Sequence, residues 1–409
     1  MSWQFELIDG PYGGVSEGPA WDGSALFFTH IQQSRIMKYD PQSGVVSVFR
    51  ENTNCANGLN FDRAGRLYGC EGGETADARR VVRYDGPGPA TVLADSFEGR
   101  RLNIPNDLAI DPEGRVWFTD PYYEGAAGPW SFDRGPKELD HDSVYRLDPK
   151  PAGAWSISRV TFDTTRPNGL LFSRDFQTLY VAQSGRRPDE KRELRAYPVR
   201  AGLSLGDPTV LHDFGEHRGI DGMCLDQDGN IVATAGWELG GPGPSIYVFS
   251  PSGKVIERHP VPCKRPTNCT FAGPDLMTLY VTTIEGHLFR AHTDRRGWLL
   301  YPPTSCYLRP PRGFCTTRPL DLDCFSVGRT VLPSARAAGA FFDTWADGKT
   351  VRPTEFRLCH AVIMSITGGL RFTCRMSKLW YTGGSTKYGT RVEKNPSMSF
   401  CRKMEEYSV

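Results

Sequence analysis

The sequence lacks the patterns that identify several common classes of functional site. It contains no Cys-x-x-Cys pair, so its cysteines match no familiar zinc template. Its 48 Lys and Arg residues are balanced by 47 Asp and Glu residues, which leaves a net charge of +1. Without a surplus of positive charge, neither nucleic acid nor an anionic membrane surface is an expected partner.

Long hydrophobic runs are also missing. No apolar stretch approaches the length that spans a membrane, and the first four residues, MSWQ, lack the basic start and apolar centre of a signal peptide. We therefore expect a cytoplasmic protein. The sequence leaves its oligomeric state open.

The 11 cysteines are unevenly distributed. Five stand at strand-like positions before residue 300, namely Cys55, Cys70, Cys224, Cys263 and Cys269. Their odd number and positions favour small buried thiols over disulfides or a zinc site. The other six lie after residue 303, at spacings that match no zinc template.

The pattern that is present is a repeated hairpin. Asn106 is followed by a short apolar strand (108–110), a polar turn at Gly114 and a second apolar strand (116–118). Five further stretches have the same pattern. The six residues that open these units are Glu17, Asn57, Asn106, Asn168, Asp221 and Asn268.

The repeats have the period of a propeller blade. Subtraction of the residue numbers gives intervals of 40, 49, 62, 53 and 47 residues, and each interval contains enough strand-like segments for a four-stranded blade. We predict an all-β fold, a six-bladed β-propeller over residues 1–302. The sixth repeat lacks a clear fourth strand. Either residues 5–8 or residues 297–301 would fill that place, and the sequence does not decide between them.

Two segments fall outside the repeat. The loop 122–142, rich in Gly, Pro and aromatic residues, either shapes access to a channel mouth or is simply solvated. Residues 303–409 show no repeat and no sustained periodicity. This C-terminal extension has three interpretations: it is a small domain, a disordered extension, or a segment that is not under selection for folding. The last two are favoured, so we expect the extension to be no part of the propeller.

The six opening residues predict a metal site in the central channel. Equivalent residues of successive blades lie at one height around the propeller axis, so these side chains should form a ring. Oxygen-bearing side chains that face one another, two of them carboxylates, are costly to bury without a partner. A hard divalent cation would satisfy them, and a set of carboxylate and amide oxygens suits Ca²⁺ better than Mg²⁺ or Zn²⁺. Zn²⁺ and Mn²⁺ stay open as metals that support activity.

The chain resembles a known family in six motifs. It is similar to the gluconolactonase, regucalcin (senescence marker protein) and luciferin-regenerating-enzyme-like propellers, to which calcium-dependent phosphotriesterases are also similar. The motifs are SEGPAW from Ser16, RLNIPNDL from Arg101, WFTDP from Trp117, RPNGLLFS from Arg166, GIDGM from Gly219 and PTNCTF from Pro266.

This resemblance implies a role for each ring residue. Glu17, Asn168 and Asp221 would bind the metal, Asn106 would be a fourth ligand or a substrate contact, and Asp221 would also be the general base in lactone hydrolysis. Asn57 and Asn268 are expected only to support neighbouring loops or waters. Four residues that flank the ring are candidates for substrate contacts: Arg101, Tyr122, Arg218 and His30. His30 stands where many relatives have Asp, which bears on the identity of the substrate.

The expected activity is metal-dependent opening of a sugar lactone, a small-molecule substrate. A bound cation with free positions can polarise a carbonyl group and acidify a water molecule, which is the chemistry that ester hydrolysis requires. Two alternatives remain. One is a phosphotriesterase or arylesterase that uses the same site, and the other is a non-catalytic propeller that binds calcium or another ligand.

Overall fold

The computed structural model describes residues 2–73, 78–123 and 136–301, together with three strands between residues 356 and 389. Six antiparallel sheets are arranged as the blades of a propeller. Their innermost strands contact one another in a closed circle, from blade one through blade six and back to blade one. The predicted six-bladed β-propeller is confirmed.

The strands of each blade follow one another along the chain, from the innermost strand outward. Blade one has strands Ser16–Trp21, Leu26–His30, Arg35–Asp40 and Val45–Glu51, and blade two has Ala56–Phe61, Leu67–Glu71, Arg80–Tyr84 and Thr91–Ala94. Blade three has Leu108–Ile110, Val116–Asp120, Ser143–Pro149 and Trp155–Arg159, and blade four has Pro167–Phe172, Thr178–Gln183, Glu193–Pro198 and Thr209–Asp213. Blade five has Ile220–Asp226, Ile231–Trp237, Gly240–Phe249 and Val255–Pro260, and blade six has Pro266–Ala272, Thr278–Thr283 and Leu288–His292. Two short 3₁₀ turns lie at Ile31–Gln33 and Pro151–Gly153, and a small ribbon pairs Ser96–Phe97 with Arg100–Arg101.

The turn between the two inner strands is built from a recurring Asp and Gly. In blade three, Asp111 Oδ1 accepts hydrogen bonds from the backbone amides of Glu113 and Arg115, and Gly114 adopts a φ of +78°. A side-chain acceptor and a glycine that tolerates the left-handed region are what a tight turn requires. Asp62 and Asp226 form the equivalent bonds in blades two and five, which explains why the hairpin is legible in the sequence.

Blade six is completed by the N-terminal strand. Glu6–Asp9 pairs antiparallel with Leu288–His292, and Glu6 forms an ion pair with Arg290 at 2.9 Å. The competing segment lies elsewhere, because Gly297–Trp298 pairs with Leu225 and Asp226 at the inner edge of blade five. The N-terminal alternative is therefore the one that the structure adopts.

Hydrophobic side chains fill the space between neighbouring blades. Trp117 is fully buried against blade four, where its ring meets Phe172 edge to face, and its indole nitrogen donates to Asp111. Cys55, Cys70 and Cys269 are buried as predicted, while Cys224 and Cys263 are partly buried, and all five are free thiols.

The chain divides into two units, residues 1–316 and 317–409. Within the second unit, strands Phe356–Ile366, Gly369–Thr382 and Ser385–Gly389 form an antiparallel sheet. The predicted boundary after residue 302 stays a prediction. No helix among the described residues is long and apolar enough to span a membrane. Residues 124–135, most of the loop predicted to shape access to the channel, lie outside the described residues.

Candidate metal and catalytic site

The residues that open the six repeats lie at the start of the innermost strands, where the backbone departs from regular pairing. The register shifts at this point in five blades, for example between Glu17 and Ala20 in blade one and between Pro167 and Leu170 in blade four. A bulge redirects a side chain that a regular strand would direct to one face of the sheet. The bulges therefore position these side chains at one end of the channel.

Glycine after the ring residue lets adjacent innermost strands approach closely. A Cβ atom on Gly169 would lie 2.6 Å from the backbone oxygen of Asp221, and one on Gly222 would lie 2.1 Å from the side chain of Asn268. At Gly169 the neighbour is backbone, so this position requires glycine, whereas a side chain at position 222 would displace the side chain of Asn268. The Asn-Gly and Asp-Gly pairs of the repeat therefore mark the positions where adjacent innermost strands pack closely.

The structure brings the ring side chains into contact. Asn168 Nδ2 donates to Asp221 Oδ1 at 2.6 Å, and the amide nitrogens of Asn106 and Asn168 lie 3.3 and 3.5 Å from the hydroxyl of Tyr123. Asn268 donates to the carboxyl of Glu17. Each of these six residues is at most 9% exposed. The ring predicted from the repeat is therefore a connected cluster in the folded protein.

Two carboxyl groups of this cluster are strongly affected by burial. The pKa of Glu17 is raised well above its usual value, first by desolvation and then by the negative charge of Asp221. Burial raises the pKa of Asp107, the neighbour of Asn106, to about 7. The carboxyl groups of the ring are therefore costly to bury in their charged form.

The donor set fits a hard divalent cation. Asn57 Oδ1 is buried and has no hydrogen-bond donor within the described part of the chain. Across residues 2–73, 78–123 and 136–301, no three His, Cys, Asp or Glu side chains converge closely enough to hold an ion by themselves. A cation held here would therefore need amide oxygens beside the carboxylates of Glu17 and Asp221, which is the mixture that Ca²⁺ accepts.

The four predicted substrate contacts have different surroundings. Arg218 is at the ring, where Nη2 donates to Asp221 Oδ2 at 2.9 Å. Arg101 forms an ion pair with Glu138. The backbone amide of Tyr122 donates a hydrogen bond to Asp142, and both residues line a surface depression. His30 is only 1% exposed, and its ring packs against Tyr12. The substrate roles of all four stay predictions.

Four functional candidates at the ring were not identified in the sequence. They are Tyr123, whose hydroxyl faces the ring amides, Asp107, which occupies the place of the glycine in blade three, and two arginines near Asp221, Arg186 and Arg265. A signal for part of this set was present. An arginine precedes the ring residue by two or three positions in each of blades four, five and six, at Arg166, Arg218 and Arg265.

Comparison with known proteins identifies the family. Residues 15–285 match the model of the SMP-30/gluconolactonase/LRE-like region. The chain belongs to this family. Over 268 residues it is 30% identical to the gluconolactonase of Zymomonas mobilis, an alignment that covers 59% of this chain and 68% of that protein. The suspected resemblance is confirmed.

Two further family comparisons cover more of the chain. The solved structure of a gluconolactonase from Xanthomonas campestris is 30% identical and superposes with a TM-score of 0.60, over 71% of this chain and 89% of that one. The diisopropyl-fluorophosphatase of Loligo vulgaris is 32% identical over 318 residues, which cover 71% of this chain and 92% of that protein. All three alignments end short of the full chain.

Proposed function

We propose that this protein is a metal-dependent lactonase that opens a sugar lactone, with Asp221 as the general base. It is a hydrolase that acts on carboxylic ester bonds. The observation that carries the proposal is the buried cluster of Glu17, Asn106, Asn168 and Asp221 at the mouth of the channel, in a chain of this family. A carboxyl group with a perturbed pKa, such as Glu17, is typical of functional sites.

Asp221 has the surroundings of a positioned base. Its Oδ1 accepts a hydrogen bond from Asn168 and its Oδ2 accepts one from Arg218, so both oxygens are held in place. In the proposed reaction, Asp221 takes a proton from a water molecule as the water oxygen bonds to the lactone carbonyl carbon. The bond from that carbon to the ring oxygen then breaks, and the ring oxygen receives the proton that Asp221 took, which regenerates the base. The products are a hydroxyl group and a carboxylic acid.

The remaining ring residues would hold and orient the site. Glu17, Asn106, Asn168 and Asp221 would bind the divalent cation, which we propose to be Ca²⁺, and the cation when bound would polarise the substrate carbonyl. Asn57 and Asn268 would support the ring, since the side chain of Asn268 contacts Glu17 and meets the strand of Asp221 at Gly222, and the backbone of Asn57 meets the strand of Glu17 at Gly18. The hydroxyl group of Tyr123 and the guanidinium group of Arg218, a predicted substrate contact, would line the entrance to the site.

The proposal is tested by hydrolysis of D-glucono-1,5-lactone. The release of acid is followed with a pH indicator, before and after exhaustive chelation and again after Ca²⁺, Mn²⁺ or Zn²⁺ is restored. We expect hydrolysis that chelation abolishes and a divalent cation restores. Activity that survives chelation would exclude the metal, and a protein inactive with every metal and a panel of lactones would exclude the lactonase.

A phosphotriesterase is the second candidate, because the similarity to the squid diisopropyl-fluorophosphatase extends over nearly all of that protein. The same carboxylates could then act at phosphorus in place of a carbonyl carbon. Parallel assays with diisopropyl fluorophosphate, phenyl acetate and the lactone distinguish the two. A kcat/KM that is highest for the organophosphate would favour this candidate, and measurable metal binding without any hydrolysis would indicate a non-catalytic propeller.

A further inference from the structure

Three arginine side chains converge at the mouth of the ring. Arg218 Nη2 lies 2.9 Å from Asp221 Oδ2, and Arg265 Nε lies 3.9 Å from the same oxygen. Arg186 lies over the Tyr123 ring, with its guanidinium carbon 5.0 Å from the ring centroid. We call Arg186, Arg218 and Arg265 the arginine cluster. The three residues come from different segments of the chain and meet only in the folded protein.

The members of the arginine cluster repel one another. Burial lowers the pKa of Arg265 to about 10, and the positive charges of Arg218 and Arg186 act in the same direction. Like charges held together in a partly desolvated site are costly unless an opposite charge lies between them.

Part of the hydrogen-bonding capacity of the cluster is unused. The Nε atoms of Arg218 and Arg265 are buried without an acceptor among the described residues. A neighbouring arginine shows the contrast, because Arg166 Nε pairs with Glu190 at 2.9 Å. Arg186 has no carboxylate partner in the described part of the chain, and its side chain is exposed at the mouth, where a ligand can reach it.

Neutralisation of the ring does not account for the whole cluster. Among the described residues, Asp221 acts on both Arg186 and Arg265 and Glu17 acts on Arg265, so these two carboxylates are fewer than the three guanidinium groups. If a divalent cation binds the same two carboxylates, the arginine cluster is left without compensation. The excess positive charge therefore faces the space that a substrate would enter.

We propose that the arginine cluster binds a negatively charged substituent of the substrate, so that the preferred substrates are lactones that also carry a carboxylate, sulfonate or phosphate group. This inference rests on the proposed lactonase function and specifies its substrate class. The guanidinium group suits such ligands, because its planar set of donors pairs with two oxygens of a carboxylate or phosphate at once. Arg186 and Arg265 are the residues that determine specificity, while Arg218 also holds Asp221.

The test compares matched neutral and charged lactones. D-glucono-1,5-lactone is paired with its 6-phosphate, and D-glucono-1,4-lactone with D-glucaro-1,4-lactone, which adds a carboxylate. For each pair we expect kcat/KM to be at least about tenfold higher for the charged member, the effect of one charge-assisted interaction. In Arg186→Gln and Arg265→Gln this ratio should fall by about tenfold. Arg258→Gln, which removes the same charge from an exposed position in blade five, should keep the wild-type ratio.

Equal or higher kcat/KM for the neutral lactones, or a ratio that Arg186→Gln leaves unchanged, would overturn the inference and leave the lactonase intact. Arg186 is exposed, so its variant provides the decision even if Arg265→Gln does not fold. If no lactone is hydrolysed, the proposed function is wrong, and a binding experiment then tests the anion site. Calorimetry with glucose and glucose 6-phosphate would then support the anion site if the phosphate binds more tightly in the wild type but not in Arg186→Gln, and would refute it if the affinities are equal.

Discussion

Asn168 donates its side-chain amide to Asp221 Oδ1 at 2.6 Å, and this bond joins the innermost strands of blades four and five across 53 residues of sequence. Arg218 occupies the other oxygen of the same carboxylate at 2.9 Å. Asp221 is therefore fixed from two sides at the mouth of the channel. A carboxylate with both oxygens directed in this way can bind a cation, accept a proton or do both.

The two roles of Asp221 are separable by substitution. Asp221→Asn keeps an oxygen that can bind a cation but removes the basic group. Turnover at saturating metal should therefore fall by about 10² to 10⁴, the usual contribution of a general base. Glu17→Gln removes the same charge from a residue without a proton-transfer role, so its activity should recover substantially as metal is raised. Calorimetric metal titrations combined with lactone hydrolysis at saturation provide the measurement. Equal recovery in both variants would assign the proton transfer to another group.

Close approach of the inner strands predicts a strict requirement for glycine at position 169. In Gly169→Ala the new methyl group would lie 2.6 Å from the backbone oxygen of Asp221, and backbone cannot move aside as a flexible side chain does. We expect a loss of stability of about 1–3 kcal/mol, typical of overpacking, and weaker metal binding. Gly88→Ala, where a methyl group meets nothing within 4 Å, is the matched control. Urea denaturation of both variants tests this, and equal stability would contradict the close packing.

The end of the propeller is predicted to lie at Tyr301. A chain that stops there keeps the pairing of Trp298 with Leu225 and the hydrogen bond from the Tyr301 hydroxyl to the backbone of Asp111. It should stay folded, bind metal and hydrolyse lactone like the full-length protein. A chain that stops at Arg295 loses both aromatic side chains and should be less stable by on the order of 3 kcal/mol. Thermal denaturation and metal titration compare the three lengths. If the chain ending at Tyr301 precipitates or loses metal, the C-terminal extension is part of the domain.

Asp120 predicts a pH dependence of stability away from the ring. Burial raises its pKa from 3.8 to about 8, although Oδ2 accepts a hydrogen bond from the backbone of Asn103. The folded protein therefore keeps a proton that the unfolded chain releases, and increasing pH between these values favours unfolding. This group's contribution is complete below pH 3.8 and is lost as the pH rises to about 8, at no more than about 1.4 kcal/mol per pH unit.

Asp120→Asn removes this titration. Its free energy of unfolding, measured in urea between pH 5 and pH 8, should decline less steeply than that of the wild type. Asp228→Asn, in the exposed turn of blade five, should retain the wild-type slope. Parallel curves for the wild type and Asp120→Asn would show that Asp120 does not hold its proton in the folded protein.

The sequence by itself determined the number of blades and the chemistry of the ring. Alternating apolar residues, the Asp and Gly that recur in the hairpin turns, and the glycine after a ring residue are local features, since each acts within a few residues of its own position. Asn168 and Asp221 were therefore recognisable before any contact between them was known. Their convergence followed from the propeller geometry, which places equivalent residues of successive blades at one height.

Only the tertiary structure decided which segments meet across long distances in the chain. Residues 5–8 and 297–301 have similar apolar patterns, and the choice between them depends on which free strand edge each one reaches. Tyr123 lies at the ring amides although Tyr122 was the candidate, because a loop orients adjacent side chains without the regular alternation of a strand. Arg265 lies near Asp221 and Arg186 lies over Tyr123 because loops from separate blades meet there. No local sequence pattern specifies these contacts, so the charge at the mouth of the channel is a property of the tertiary structure.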